Sequence, residues 1–258
     1  MLKRTFIHIP GVGKQTELML WQNGITCWDD FIKTYESVPL PEKKKHKMKM
    51  FIDESIDRLK KKDYNYFSSM LPKQEYWRVF PYFKDKTIYL DIETTGLFPN
   101  SHEITLIGVY NGQNVKTFIN GINLEQIEQE LEKYSVLITF NGARFDLPFI
   151  STYLPNVTLD HLHIDLVYPL RKLGYRGGLK SIERQLGIER ESEVASLTGW
   201  DAVRLWRDYK RGCKESLELL IKYNNEDIIN LAKLMEFSYA ELSQHILKNI
   251  NYINRKVY

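Results

Sequence analysis

A chain of 258 residues is long enough for one large domain, or for one medium domain with a small appendage. Its hydrophobic fraction of 43% supplies a core, while the chain lacks both a secretory signal and the apolar run of about 18 residues that predicts a transmembrane helix. The expected location is therefore the cytoplasm, without a membrane partner. Cys27 and Cys213 stand far apart outside any Cys-x-x-Cys pair, which argues against a disulfide framework and a cysteine zinc site.

The net charge of +3 is distributed unevenly along the chain. Residues 1–86 carry 17 Lys or Arg against 11 Asp or Glu, a balance of +6, and residues 87–258 carry 19 against 22, a balance of −3. This division suggests that the first part meets a polyanion while the second holds acidic groups for another purpose. On charge alone, lysines that simply solvate a surface explain the pattern equally well.

Two segments precede the main domain. Residues 1–36 predict a small folded unit, in which a short apolar entry, a Gly-Val-Gly turn and an apolar-periodic stretch indicate two short helices around a tight loop. Residues 37–85 predict a basic helical linker, because two prolines and five lysines between positions 39 and 49 leave little to bury. We place the domain boundary near residue 85.

Residues 86–258 alternate between strand and helix patterns. The predicted strands are "TIYLDIE", "ITLIGVY", "VKTFIN", "SVLITF" and "HLHIDLV", with Asn111-Gly112 as a hairpin turn between the second and third. Helices are predicted in "LEQIEQELEKY", in the stretch after Phe145, in "GLKSIERQLGI", in "GWDAVRLWRDY" and in "ESLELLIKYNNEDIINLAKLMEF". The order predicts an α/β fold with a mixed β-sheet flanked by helices, preceded by a small helical region.

Two acids interrupt the first predicted strand. Asp91 and Glu93 are two residues apart, so in an extended strand they project from the same face. A third acid, Asp146, follows the fourth strand and opens a helix, which is a site-forming junction of an α/β sheet. Taken alone, Asp146 is explained better as a first-turn acid that the helix dipole favours.

The fourth acid, Asp227, lies four residues after Tyr223 on the predicted last helix, so the two share a face. An acid on a long helix is usually only solvated. Four converging carboxylates, however, repel one another and are costly to bury, so such a set persists mainly where a metal ion neutralises it. Oxygen ligands alone indicate Mg²⁺ or Mn²⁺ rather than zinc.

The residues around these acids resemble a known enzyme family. Asp91-Ile92-Glu93 resembles the first motif of the DEDD exonucleases, Asn141–Asp146 resembles their NxxxFD motif, and Tyr223–Asp227 matches their YxxxD motif. The three motifs occur in order, which implies the DEDDy subclass and a ribonuclease H-like fold. "HIDLVYPLRK", "GGLKSIERQLGIER" and the Gly-Val-Gly start are similar to the YprB-type branch of that superfamily.

The resemblance implies roles for five side chains and two Mg²⁺ or Mn²⁺ ions. Asp91 is expected to bridge both ions, Glu93 and Asp227 to complete the ion on the side of the nucleophile, and Asp146 to act on the other ion. Tyr223 is expected to orient the attacking water, since a phenol pKa of about 10 makes it a poor base at neutral pH.

Neighbouring residues are candidates for holding the substrate. The resemblance places Thr94, Thr95 and Leu97 where related enzymes grip the terminal nucleotide; the alternative is a plain turn at the end of the strand. Asn141 is expected to hydrogen-bond near the metal carboxylates or simply to end its strand. Asp165 is expected to support the metal ligands from behind or, with equal weight, to cap a loop.

The N-terminal segment resembles a helix-hairpin-helix element. In such elements the glycines, here Gly11 and Gly13, expose backbone N–H groups to a DNA phosphate, and Lys14 would assist. The segment is not a P-loop, because His8 stands where the first glycine is needed and Gln15 where Ser or Thr would bind magnesium. The alternative is that this unit only packs against the nuclease or a partner protein.

Together these features predict a metal-dependent 3′-to-5′ exonuclease that hydrolyses single-stranded nucleic acid, with DNA favoured over RNA, by a two-metal-ion mechanism. The polarity rests on the family resemblance. An RNA or oligoribonucleotide exonuclease is the first alternative. A non-catalytic nucleic-acid-binding protein that kept the fold is the second, and the intact acids and tyrosine argue against it.

Overall fold

The computed structural model describes residues 1–254, without the side chains at positions 249 and 251–254. It divides into two units: Met1–Asp85 together with the chain from Tyr239 onward, and Lys86–Ser238. The sequence instead assigns the chain from Tyr239 onward to the second domain, residues 86–258, so the structure moves this end of the chain to the first unit.

The first unit is helical. After a 3₁₀ turn at Leu2–Arg4 it contains α1 (Lys14–Gln22), α2 (Trp28–Lys33), α3 (Glu42–Lys60), α4 (Tyr64–Met70) and a 3₁₀ segment at Lys73–Tyr82. Its core is rich in aromatic side chains, among them Phe6, Trp28, Phe31 and Trp77, each at most 2% exposed. The Gly-Val-Gly turn therefore lies between a 3₁₀ turn and α1, not between two α-helices.

The segment predicted as a linker takes part in this core. Helix α3 buries Met48 and Ile52 completely, and Lys45 donates from its buried ammonium to Glu36 O at 3.2 Å. A long lysine side chain can bury its apolar stem while its charge finds a polar partner. The lysine-rich segment is therefore an amphipathic helix, which packs one apolar stripe into the core of the first unit.

The second unit is built on a five-stranded sheet in the order β3-β2-β1-β4-β5. The strands are β1 (Thr87–Thr94), β2 (Ile104–Tyr110), β3 (Val115–Ile119), β4 (Val136–Thr139) and β5 (Leu162–Asp165). β1 and β3 pair antiparallel with β2, while β4 pairs parallel with both β1 and β5. The carboxyl ends of β1, β4 and β5 therefore meet at one edge of the sheet.

Helices flank this sheet: α5 (Ile127–Leu131), α6 (Asp146–Tyr153), α7 (Val167–Lys172), α8 (Leu179–Gln185), α9 (Ser192–Ala195), α10 (Gly199–Lys210) and α11 (Lys214–Asn254). Helix α11 contributes to both units, since its residues up to Ser238 belong to the second and the later ones to the first. In the described part of the chain, neither α11 nor any other helix has the length and apolar character needed to cross a membrane. The predicted mixed sheet, flanking helices and helical N-terminal region are confirmed.

The two faces of β1 serve different purposes. Ile88, Leu90 and Ile92 pack into a core that includes Phe149 of α6. Glu93 projects from the opposite face, where its register partner Leu106 packs into a second core with side chains of α10 and α11. The period-two alternation of an extended strand thus sends the acids toward α10 and α11.

Candidate active site

Three carboxylates meet at the carboxyl end of β1. Asp91 and Glu93 lie on this strand and Asp227 lies on α11, and one oxygen atom from each lies within 4.8 Å of the others. Glu93 is 8% exposed and Asp227 is 5% exposed, whereas Asp91 is half-buried, so two of the three acids are largely withdrawn from water. The two sequence motifs that contain these acids therefore form one site.

A glycine on the neighbouring strand makes room for the residue that orients Asp91. Gly108 on β2 is the register partner of Asp91. A Cβ atom at this position would lie 1.7 Å from Asn224 Oδ1, so any other residue would displace the Asn224 side chain. Asn224 of α11 enters the space and donates from Nδ2 to Asp91 Oδ2 at 2.8 Å.

Asp146 stands beside this group, and its ligand atoms are not part of the three-carboxylate cluster. It opens α6, as predicted, and its Oδ1 accepts a hydrogen bond from Ile92 N at 3.2 Å. That amide lies beyond the part of β1 that pairs with β4, where pairing ends at Tyr89 and Ile138. Asp146 thus satisfies a backbone donor left free by the shorter strand and stays close enough for its charge to act on Asp91 and Glu93.

The loop that carries Asp146 is held by Asp165. Asp165 ends β5 and is 5% exposed, and its carboxylate accepts hydrogen bonds from Asn141 N at 2.8 Å, Ala143 N at 3.2 Å and Val167 N at 3.1 Å. Asn141 adopts φ +62, a left-handed conformation that asparagine tolerates better than most residues. Of the two roles predicted for Asp165, the geometry is that of a loop cap, through which it positions Asp146 indirectly.

Burial and mutual repulsion oppose the ionisation of these acids. Burial raises the pKa of Asp91 and of Glu93 well above their usual values, and the charges of Asp227 and Asp146 add to the effect. Burial also raises the pKa of Asp146 to about 7 and that of Asp227 to about 6; Arg190 limits the rise at Asp227. Without a further cation the site therefore favours partial protonation.

Tyr223 lies one turn before Asp227 on α11 and is 7% exposed. Burial, followed by the nearby charges of Asp227, Glu93 and Asp91, raises the pKa of its hydroxyl above the ordinary value. Its ring lies beneath Lys180, whose Nζ is 4.6 Å from the ring centroid. Tyr223 therefore keeps its proton at neutral pH and can donate a hydrogen bond but not act as a base.

These side chains fit a divalent cation. Carboxylate oxygens are the ligands that Mg²⁺ and Mn²⁺ prefer, and three are already gathered. Arg190 and Lys180 place two positive charges near these acids. With Asp146 included there are four carboxylates, so two cationic side chains do not balance the negative charge. A divalent ion would neutralise the remaining negative charge and remove the repulsion that raises the pKa values.

Two adjoining cavities open at the acids. The first, of about 420 Å³, is lined by Asp91, Glu93, Asp227, Tyr223 and Lys180, among others. The second, of about 280 Å³, shares Ile92, Glu93 and Gly199 with it and is bordered by two exposed apolar side chains, Leu97 and Trp200. Leu97 is 63% exposed and Trp200 is 75% exposed. A polar site and a mainly apolar one thus lie side by side.

The other predicted substrate residues occupy different positions. Thr94 lines the apolar cavity, with its hydroxyl donated to Gly96 O at 2.7 Å. Thr95 uses its hydroxyl to accept from Glu103 N at 2.9 Å, which closes the turn after β1. The exposed Asn141 lines a small separate cavity with Asp165. Leu97 and Thr94 therefore border the apolar cavity, whereas Thr95 and Asn141 have structural contacts in their loops.

The predicted phosphate-binding glycines lie in the first unit. Gly11 has φ +87, and Gly13 is the N-cap of α1. Lys14 begins the helix and is 75% exposed, and its Nζ is 3.5 Å from Glu75 Oε1. The lysine charge is therefore accessible, although one acidic neighbour shares it.

Sequence reasoning missed four residues that the fold brings to the acids: Arg190, Asn224, Gly108 and Trp200. Asn224 lies inside the YxxxD motif, and its place three residues before Asp227 is the signal that could have indicated it. Arg190 ends the segment "GGLKSIERQLGIER" that resembles the YprB-type branch, but nothing in that segment indicates a contact with Asp227. Gly108 and Trp200 carry no motif signal, because their roles depend on contacts between distant segments.

Comparison with known proteins assigns the family. A family model described as the RNase_H superfamily matches residues 88–239, which is more than half of the chain. The protein belongs to the RNase_H superfamily. The match covers β1 to β5 and the part of α11 that carries Tyr223 and Asp227. No curated protein matches the sequence.

Several solved structures are similar to this chain at low sequence identity. The family B DNA polymerase of Pyrobaculum calidifontis shares 14% identity with a TM-score of 0.45, over 60% of this chain and 24% of the polymerase. Brucella melitensis NrnC with bound Mg²⁺ shares 16% identity with a TM-score of 0.44, over 67% and 82% of the two chains. The EXO domain of Aedes aegypti Nibbler shares 13% identity with a TM-score of 0.45, over 69% and 92%. The chain thus spans about a quarter of the polymerase and most of the other two.

Proposed function

We propose that this protein is a metal-dependent 3′-to-5′ exonuclease that hydrolyses single-stranded nucleic acid, with DNA preferred over RNA. The observation that carries the proposal is the meeting of Asp91, Glu93 and Asp227 within 4.8 Å, in a cavity that is also lined by the largely buried Tyr223. Such a group is expensive to bury in the absence of a cation. It suits an enzyme that holds divalent ions and a phosphodiester.

The acids divide the work of holding cations. Asp91, Glu93 and Asp227 would bind directly, and Asp146, which is adjacent to them, would hold a second ion or its water. When bound, divalent ions polarise the phosphate and lower the pKa of water into the neutral range. Asn224 orients Asp91 through the hydrogen bond from Nδ2 to Oδ2.

Tyr223 supplies a hydrogen bond rather than a negative charge. Because its pKa is raised, its hydroxyl stays protonated at neutral pH and can orient a water molecule. Lys180 above its ring lines the same cavity and offers positive charge to a phosphate oxygen.

The apolar cavity is the natural place for the terminal base. Leu97 and Trp200 border it, and it opens onto the acids at Glu93. Stacking on apolar and aromatic side chains does not depend on which base is present. The hydroxyl of Thr94 is already donated to Gly96, so it offers no proton for base recognition. The proposed enzyme therefore cuts without sequence preference.

The first unit would add affinity for the nucleic-acid backbone. Gly11, Gly13 and Lys14 form a turn at the start of α1, which can receive a phosphate through N–H groups and the lysine charge. This contact carries no base information and favours DNA with a duplex region. Lys14→Glu tests it better than deletion of residues 1–36, because Glu17 in that segment pairs with the buried Arg78 at 3.0 Å.

The deciding experiment uses 5′-labelled single strands of DNA and RNA with Mg²⁺ or Mn²⁺. Products that shorten progressively from the 3′ end are expected with the native protein and not with Asp91→Ala or Asp227→Ala. Asp160→Ala is a matched control, because Asp160 is an exposed acid outside the site. Binding without degradation in either metal would contradict the proposal, and faster loss of RNA than of DNA would reverse the substrate preference.

A further inference from the structure

A buried arginine joins the candidate metal ligand Asp227 to a second acid. Arg190, in the segment between α8 and α9, donates from Nε to Glu183 Oε2 at 2.6 Å and from Nη2 to Glu183 Oε1 at 2.7 Å. The same Nη2 donates to Asp227 Oδ1. The side chains of Arg190, Glu183 and Asp227 are 5%, 2% and 8% exposed.

Glu183 is itself held in place by α11. Asn230 is completely buried three residues after Asp227 and donates from Nδ2 to Glu183 Oε1 at 3.0 Å. Lys233 in turn donates to Asn230 Oδ1 at 2.8 Å. Glu183 therefore accepts both bonds of the planar Arg190 fork and, at Oε1, the Asn230 amide as well, which leaves the guanidinium little freedom to rotate.

The gain in folding stability from this buried ion-pair network does not by itself explain the arrangement. Burying an ion pair costs desolvation that the attraction between the charges repays only with good geometry and full hydrogen bonding. Arg190 Nη1 is buried and has no hydrogen-bond partner among the described residues. A buried donor without a partner is destabilising, because it loses its hydrogen bonds to water and gains none in the protein. The orientation that leaves Nη1 unpaired is the one that brings Nη2 to Asp227.

We propose that Arg190 is a positioning residue: oriented by Glu183, it holds Oδ1 of Asp227 and leaves Oδ2 as the oxygen available to a divalent cation. Asp227 is thereby fixed as a ligand through one oxygen, before any ion arrives. The inference rests on the proposed function to the extent that Asp227 binds metal. It adds a residue outside all three acidic motifs to the machinery of the site.

Arg190→Lys is the most informative substitution, because it keeps the positive charge and removes the fork. A lysine cannot hold Glu183 and Asp227 in one rigid plane, so Asp227 loses its orientation while the electrostatic repulsion of the incoming cation remains. Mn²⁺ binding is measured without substrate, by titration calorimetry and by the electron paramagnetic resonance of free Mn²⁺. We expect binding at least about tenfold weaker, the usual size of such an effect for residues that orient a metal ligand.

The matched control is Arg184→Lys. Arg184 lies on α8 one position after Glu183 and is exposed; its Nε donates a hydrogen bond to Lys180 O at 3.3 Å. Its replacement should leave Mn²⁺ affinity within twofold of the native value. If Arg184→Lys also weakened Mn²⁺ binding tenfold, the effect would belong to any arginine-to-lysine change in this region, and the inference would be overturned.

A double-mutant cycle separates positioning from general damage. If Arg190 acts through Asp227, Arg190→Lys should change Mn²⁺ affinity less than about twofold once Asp227→Asn is present, because the two effects are coupled. Native-like Mn²⁺ binding by Arg190→Lys, or an equal loss in both backgrounds, would overturn the inference.

A second variant keeps the test decisive if Arg190→Lys does not fold, as judged by near-ultraviolet circular dichroism. Glu183→Gln preserves the shape of the anchor and retains Arg190, and it should weaken Mn²⁺ binding severalfold; unchanged binding would count against the inference. A native protein that binds no Mn²⁺ and hydrolyses no strand would refute the proposed function. Native binding and hydrolysis with unaffected variants would refute the role of Arg190 alone.

Discussion

Asn224 of α11 donates a hydrogen bond to Asp91 of β1 at 2.8 Å, across 133 residues of sequence. The bond fixes a carboxylate that would otherwise rotate about its side-chain torsions. It is possible because the neighbouring strand, β2, has glycine at position 108, beside Asp91. The site therefore depends on the absence of a side chain at position 108 as much as on its acids.

Gly108→Ala should disrupt this contact. The new Cβ atom would lie 1.7 Å from Asn224 Oδ1, so the asparagine must leave and Asp91 loses its donor. We expect a lower melting temperature and a loss of hydrolysis on the order of tenfold or more, the scale for residues that orient a metal ligand. In Gly108→Ala/Asn224→Ala the clash is removed, so thermal stability should recover while activity stays low. Failure of the double variant to regain stability would show that the clash involves other atoms.

Asp165→Ala should act on the loop that carries Asp146. Three backbone N–H groups would lose a charged acceptor, and each such loss costs about 1–3 kcal/mol where water cannot replace it. The melting temperature measured by calorimetry should fall by several degrees, and hydrolysis should fall because Asp146 is displaced. Asp160→Ala, an exposed acid in the same region, serves as the control. Equal melting temperatures for the two variants would argue against the capping role.

The metal-free protein should lose stability as the pH rises from about 4 to above 7. The unfolded acids ionise near pH 4. In the folded state the pKa of Asp227 is raised to about 6 and that of Asp146 to about 7, so the folded protein binds more protons across this interval. The stabilisation that follows from these raised pKa values is fully present below the pKa of the unfolded acids. It is lost as the pH rises through the pKa values of the folded state.

Melting curves between pH 5 and 8 in the presence of a chelator would measure this effect. Addition of Mn²⁺ should restore stability most at the high end of the range, because the ion binds the ionised form. Asp91→Asn removes one of the repelling charges and should flatten the profile. A chelated protein whose stability increases toward pH 8 would contradict the electrostatic account of the site.

Trp200→Ala should weaken the binding of short single strands. Stacking of a base on an aromatic side chain contributes about 1–3 kcal/mol, so the dissociation constant should rise roughly tenfold. Trp200→Phe retains an aromatic face and should lose less. Phe98→Ala is a suitable comparison, since Phe98 is 66% exposed but does not line the cavity.

Binding can be measured by fluorescence anisotropy of a labelled strand in the presence of a chelator, where hydrolysis does not interfere. If Phe98→Ala weakens binding as much as Trp200→Ala does, general surface hydrophobicity rather than stacking in the cavity would explain the loss.

Local patterns predicted a large part of the fold. All five strands were predicted because alternating or continuous apolar residues bounded by turns have a clear periodicity. The segment "LEQIEQELEKY" was less regular than predicted, with a 3₁₀ turn at Leu124–Gln126 before a short α-helix at Ile127–Leu131. The lysines of α3 suggested an exposed linker, since composition does not reveal that Lys45 and Met48 face inward.

The sequence by itself determined that Asp91 and Glu93 share a face of β1 and that Tyr223 and Asp227 share a face of α11, because strand and helix periodicities are local properties. Only the tertiary structure decided how these pairs are held. Arg190 reaches Asp227 across 37 residues of sequence, and Asn224 reaches Asp91 across 133. No local rule encodes such contacts, since they follow from how the sheet edge and α11 pack. The ordered motifs identify the acids, and packing determines which arginine, asparagine and glycine orient them.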